Sequence, residues 1–166
     1  MIRNRFDELQ KYLKARLPQL GILPEQFDTV VDKLTLGEGG HHETAEGYHF
    51  CNLRYTGLIY LERLPAAQLP LLALLVRSWI DEHDDTRSRA RLPDPELDVA
   101  PLDGDSLVDV VVTLEFVDPV FLAPAADDAV DAVDWNGKRY SVAEYTVAVA
   151  ERGTVNNAPA APEAGA

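Results

Sequence analysis

The chain predicts an α+β fold: two main helices packed on a mostly antiparallel mixed sheet, with a C-terminal β-hairpin arm and a disordered tail. Three stretches carry that expectation. Residues 61–84, LERLPAAQLPLLALLVRSWIDEHD, form a long apolar helical segment. Residues 48–61 before it alternate as a strand, and residues 107–117 after it alternate again. Helices and strands in separate blocks, rather than in strict succession, argue for α+β layers.

Taken in order, Ile2, Phe6, Leu9, Leu13, Leu17 and Leu20 recur at three and four residues, the spacing of an amphipathic helix. Asn4 is placed to cap it, and Asp7 and Glu8 favour the positive end of its dipole. Pro18 ends the helix near Arg16, which leaves Leu17 and Leu20 to pack as loop residues. Pro24 starts a short turn. Residues 27–36 end as a strand, and residues 37–47, GEGGHHETAEG, predict a polar, mobile surface loop.

The strand over 48–61 carries apolar groups on both faces towards its end, which fits a central position with material packed on each side. Gly57 marks a bulge or a close approach of another element. The apolar helix then runs over 66–83, with Pro65 and Pro70 near its start. Leu72, Val76, Trp79 and Ile80 share one side. Leu71, Leu74 and Leu75 widen the stripe past an ordinary core face, a side to be covered either by the N-terminal helix or by another subunit, which makes them the candidate self-association face.

Residues 84–101 are a charged link with three prolines, and residues 103–106 are a turn. Within 107–117, Val108, Val110, Val112, Leu114 and Phe116 point inward while Asp109, Thr113 and Glu115 point outward. That is an antiparallel strand with one wet face, and residues 97–102 are its hairpin partner. Asn136-Gly137 sits between two short β-prone runs, the strongest hairpin signal in the chain. Tyr145, Val147 and Val149 allow one more short strand. The organisation expected is one domain over 1–150 and a disordered tail over 151–166, which holds little to bury.

Net charge is -13, unevenly placed. Residues 1–80 hold 9 acidic and 9 basic side chains, whereas 92–134 hold 12 carboxylates and no Lys or Arg. Such a surface repels phosphate backbones and argues against direct nucleic-acid binding. It suits a basic protein partner, and Asp94, Glu96, Asp98, Asp103, Asp105 and Asp109 are the candidate acidic face. The N-terminus has no uninterrupted apolar run of the signal-peptide kind, and the densest apolar stretch, 69–76, falls far short of the roughly 20 residues of a membrane span.

No catalytic or cofactor motif emerges. His41 and His42, with Glu43, Glu46 and His49, lack the spacing of a preformed metal site. His83 follows from a helix C-terminus, and Cys51 alternates with apolar neighbours as an inert thiol. Asp103 and Asp105 are too few for an EF-hand loop. No enzyme, metal or cofactor is expected.

Several pieces nevertheless stand in a known order. They are an amphipathic helix ending at Leu17-Pro18, the segment PEQFDTVVD over 24–32, a strand centred on Arg54-Tyr55-Thr56, and an apolar helix ending SWIDEH over 78–83. Then come GDSLVD over 104–109 and the hairpin VDWNGK over 133–138. In this order and spacing the chain resembles the tail completion protein R family of P2-like contractile-tailed bacteriophages. The resemblance implies a non-enzymatic structural protein of the virion tail, present in the host cytoplasm during assembly. It further implies a terminator-like cap at the head-proximal end of the tail tube, built as a homo-oligomeric ring such as a hexamer. Its partners would be the tail tube and other tail or head–tail connector proteins. The competing readings are an acidic adaptor for a basic protein and, behind it, a small metal-dependent binding protein or enzyme.

Overall fold

The structure, a computed structural model, describes residues 5–104 and 106–143. The Asn4 cap, Asp105, the expected strand over Tyr145, Val147 and Val149, and the tail lie outside those residues.

Helix α1 (Arg5–Lys14) turns Phe6, Leu9 and Leu13 to the interior. A single helical turn follows, α2 (Leu17–Leu20), with Pro18 in its first positions, where the missing N–H costs no hydrogen bond. Leu17 and Leu20 are therefore helical and buried rather than loop residues. Gly21, at φ 71, closes the turn.

A 3-10 turn, Pro24–Gln26, leads into β1 (Phe27–Glu38), the two-residue β2 (Glu43–Thr44) and the 19-residue β3 (Gly47–Pro65). The glycine-rich stretch expected as a loop is instead the tip of this hairpin. Gly39 N–H donates to Phe50 O, His41 N–H to His49 O, and Glu43 pairs with Tyr48. Glycine is what permits the crossing: a Cβ on Gly39 would stand 2.5 Å from the Phe50 carbonyl carbon.

Helix α3 (Leu69–His83) returns across the sheet. It is followed by β4 (Glu96–Pro101), β5 (Leu107–Pro124), β6 (Val133–Trp135) and β7 (Lys138–Val142). The sheet order is β1-β3-β5-β7-β6, with β2 on β3 and β4 on β5. Every pairing among the described residues is antiparallel, so the sheet is not mixed. The β6–β7 hairpin turns at Asn136 (φ 54) and Gly137 (φ 75), the left-handed pair that two-residue hairpins require.

β3 and β5 are the central pair, and one of their faces carries the core. Tyr55, Ile59, Leu61 and Leu64 meet Val108, Val110, Val112, Leu114 and Phe116 beneath α1 and α3. A bulge between Leu61 and Leu64, with Arg63 at φ 53, shifts the alternation so that Leu64 still points inward. Gly57 is the point of closest approach: a Cβ there would fall 2.5 Å from the Phe6 ring. β5 continues beyond the expected end at Val117, and Pro119 still pairs with Asn52 of β3.

Candidate functional site

The helix layer and the sheet are joined by a buried ionic cluster that the chain's pattern did not single out. Asp118 continues the inward parity of β5, so a carboxylate occupies a core position at 4% exposure. It accepts the Tyr55 hydroxyl at 2.6 Å and the Arg5 guanidinium at 3.1 Å. It also accepts the backbone N–H of Arg5, so the sheet supplies a partner for an orphan donor at the start of α1. Beside it, Arg87 donates to Asp84, to Pro93 O and to Glu115 O. Arg5 also donates to Val117 O at 2.9 Å.

Burial holds the Asp118 carboxyl above its ordinary range, against the opposing pull of Tyr55 and Arg5. Burial and then the nearby Asp118 charge push the Tyr55 phenol well up. Neither group faces a cleft in which a substrate would meet it: Tyr55 is 3% exposed. The cluster holds α1, α3 and β5 in register rather than presenting chemistry. The sequence signal for it was available, in Asp118 sharing the parity of Val108 through Phe116.

Two of the histidines are equally committed. His49 accepts from Gly40 N–H at Nδ1 and meets Asn52 Oδ1 through Nε2, so both ring nitrogens are occupied. His83 stacks on Trp79 with centroids 5.0 Å apart and donates from Nδ1 to Trp79 O. Among the described residues no three His, Cys, Asp or Glu side chains gather as a metal site. Burial pushes the Cys51 thiol up, away from thiolate chemistry. A polar cleft of about 450 Å³ opens near the C-terminal end of α3. Within it Arg77 pairs with Asp81 and Asp94, and Arg87 with Asp84.

The three leucines of the predicted face differ in exposure. Leu75 is 8% exposed and belongs to the core stripe Leu72, Leu75, Val76, Trp79 and Ile80, spaced three and four apart. Leu71 packs partly against that core. Leu74 alone of the three is open, at 63%.

The acidic residues divide. Cross-strand pairing sets Glu96 against Thr113, Asp98 against Val111 and Ala100 against Asp109, so Glu96, Asp98 and Asp109 share the sheet face opposite the helices. Asp109 there accepts the Arg63 backbone N–H at 2.9 Å. Asp94 lies instead 3.5 Å from Arg77 of α3, and Asp103 is exposed in the turn before β5.

Two surfaces escaped the sequence pattern. β1 exposes Val30, Val31, Leu34 and Leu36, the last at 76%. It pairs with β3 on one side, and among the described residues no strand lies along its other side. At the far end of the sheet, Tyr48 and Phe50 of β3 contact Trp135 of β6 at centroid distances of 5.4 and 5.0 Å, and Trp135 contacts Tyr140 at 5.8 Å. This aromatic cluster pins the C-terminal hairpin to the tip of the β1–β3 hairpin.

Comparison with known proteins gives one family. The model for "P2 phage tail completion protein R (GpR)" matches residues 3–144. No curated protein and no solved structure matches the chain.

Proposed function

The chain belongs to the P2 phage tail completion protein R family, and from that premise we propose that it caps the head-proximal end of a contractile tail tube. The family membership supports a structural role in the tail, and the matched span takes in the three helices and seven strands of the described residues. In the finer reading the protein is a terminator-like component of the virion tail. It assembles as a ring in the host cytoplasm and contacts the tail tube and the connector that joins tail to head. It works without cofactor or catalytic residue: its buried ionisable groups are engaged with one another, and what it offers outward is surface.

The observation that carries this reading, beside the family, is the open aliphatic flank of β1, with Val30, Val31, Leu34 and Leu36 exposed. Monomers seldom leave a long strand edge of this kind uncovered. Leu74 adds an apolar point on the helix layer. Negative-stain images of the protein mixed with purified tail tubes test the proposal. A density at one end of each tube is expected; decoration along the tube wall, or bare tubes at saturating protein, would refute it.

A second reading is favoured by one observation, the carboxylates Glu96, Asp98 and Asp109 on a single sheet face. An acidic adaptor would bind a basic protein there as a one-to-one complex, and no ring would form.

A further inference from the structure

The last β7 rung among the described residues is at Ala143, and the β-prone run over 144–150 follows it in the sequence. We propose that residues 144–150 of one copy add as a strand to the outer edge of β1 in a second copy. The inference rests on the self-association reading above and names the contact that would produce it.

The first observation is that β5 has no room for a longer β7. Ala143 N–H donates to Phe121 O at 2.8 Å, the last rung of that ladder among the described residues. Continuing it would bring the chain past Pro119, Val117 and Glu115, whose outward groups share the orientation of Phe121 O. Pro119 has no N–H to offer. Val117 O is held by Arg5 at 2.9 Å, and Glu115 O by Arg87 at 2.7 Å. β4 takes up the edge only from Thr113 onward. Among the described residues, Arg5 and Arg87 occupy the gap between β7 and β4.

The second observation is compositional. Residues 144–150, EYTVAVA, alternate β-formers at Tyr145, Val147 and Val149, a run suited to ladder pairing. The third is the acceptor. β1 presents 12 residues of strand with its aliphatic groups exposed, on the edge of the sheet opposite β7. An added strand would satisfy backbone groups and cover those side chains together.

A chain's own β1 is out of reach of its own segment. From the lane of β7 to a lane beyond β1 is four strand spacings, about 19 Å along the sheet. Ala143 to Tyr145 extends at most about 7 Å. The donor follows β7, next to the β6 end of the sheet, and the acceptor is the β1 edge at the other end, so each copy has one of each. That is a head-to-tail contact, which closes to a ring or runs on as a filament.

The test uses the full chain with Val147→Pro and Val149→Pro together, which removes two ladder donors from residues outside the described core. Sedimentation across concentration and hydrogen exchange at β1 are read side by side. We expect the wild-type chain to associate and to protect β1 amides in the associated state. The double variant should melt as the wild type does, associate about tenfold or more weakly, and leave β1 unprotected. Wild-type association matched by the double variant, or association without β1 protection, overturns strand addition while the ring stands. A wild-type chain that remains monomeric at every concentration overturns both.

Discussion

Gly57→Ala is the smallest change that probes how the helix layer seats on the sheet. A Cβ at that position would lie 2.5, 2.6 and 2.9 Å from three Phe6 ring atoms. An ordinary contact needs about 3.4 Å or more, so the ring must retreat by roughly 1 Å. Phe6 is fully buried, with Phe116 at a centroid distance of 5.9 Å, and has no free side to move into. Moving α1 as a body instead would stretch the Arg5 N–H contact to Asp118, already 3.3 Å. Overpacking of this kind costs about 1–3 kcal/mol. Gly57 is in ordinary strand conformation, so the alanine recovers about 0.4–1 kcal/mol from the unfolded chain. The net loss expected is about 1–2 kcal/mol, a fall in melting temperature of about 2–8 °C at this chain length. Denaturant unfolding of the single variants and of Gly57→Ala with Phe6→Leu measures the coupling. Leucine vacates the ring volume, so the double variant should be more stable than the sum of the singles by about 1 kcal/mol. Additive losses, or a Gly57→Ala protein as stable as the wild type, would show that Phe6 does not pack on Gly57.

Three further outcomes follow from the same geometry. Arg87→Ala removes the partner of Asp84 and of two backbone carbonyls from a side chain 9% exposed, and should cost about 3–5 kcal/mol by thermal or chemical melting. A loss under about 1 kcal/mol would mean that water replaces the guanidinium freely. Asp118 holds its proton to higher pH folded than unfolded, so between the ordinary 3.8 and its raised value the folded state binds more protons. The wild type should then lose stability relative to Asp118→Asn as pH rises through that window and run parallel to it above; the opposite slope refutes the assignment. Leu75→Asp buries an unpaired charge and should abolish cooperative unfolding, while Leu74→Asp should melt within about 0.5 kcal/mol of the wild type; equal effects would contradict the placement of α3.

The legible parts of the fold were those in which one periodicity decided the structure. The inward set Val108 to Phe116 and the Asn136-Gly137 hairpin are where alternation and turn chemistry put them. So is α1, whose spacing returned Phe6, Leu9 and Leu13 to the core. Misplacements arose where long-range contacts overrode local signals. Glycines over 37–47 mark a loop to any local rule, yet at Gly39 the missing Cβ lets β1 and β3 cross closely. Leu75 counted as surplus only because apolar residues crowd α3; the core takes the set that fits 3.6 residues per turn. Of the candidate surfaces, the acidic triad on β4 and β5 was readable as composition but not as a shared face. The open flank of β1 was hidden because an aliphatic strand looks the same in sequence whether or not a neighbour covers it.

Charge supplies a separate test between the two functional readings, because it acts with opposite sign in each. Several arginines are committed within the chain: Arg5 and Arg87 in the buried cluster, Arg54 to Glu115, Arg77 to Asp81, Arg139 to Asp134. The excess behind the net charge of -13 is therefore left on the outside, with Glu96, Asp98 and Asp103 exposed. Copies of such a chain repel one another, and salt weakens that repulsion over a distance of about 8–10 Å at 0.1–0.15 M. Backbone pairing along β1 and burial of Val30, Val31, Leu34 and Leu36 do not weaken with salt in that range. Self-association should therefore strengthen as sodium chloride rises from about 0.05 to 0.3 M, where screening grows steadily. Binding of a basic partner to the acidic sheet face should weaken over the same range. Sedimentation of the protein alone, and titration against a basic partner, read the two signs directly. Self-association that falls with salt would show that opposite charges join the copies, and would remove the aliphatic edge of β1 as its cause.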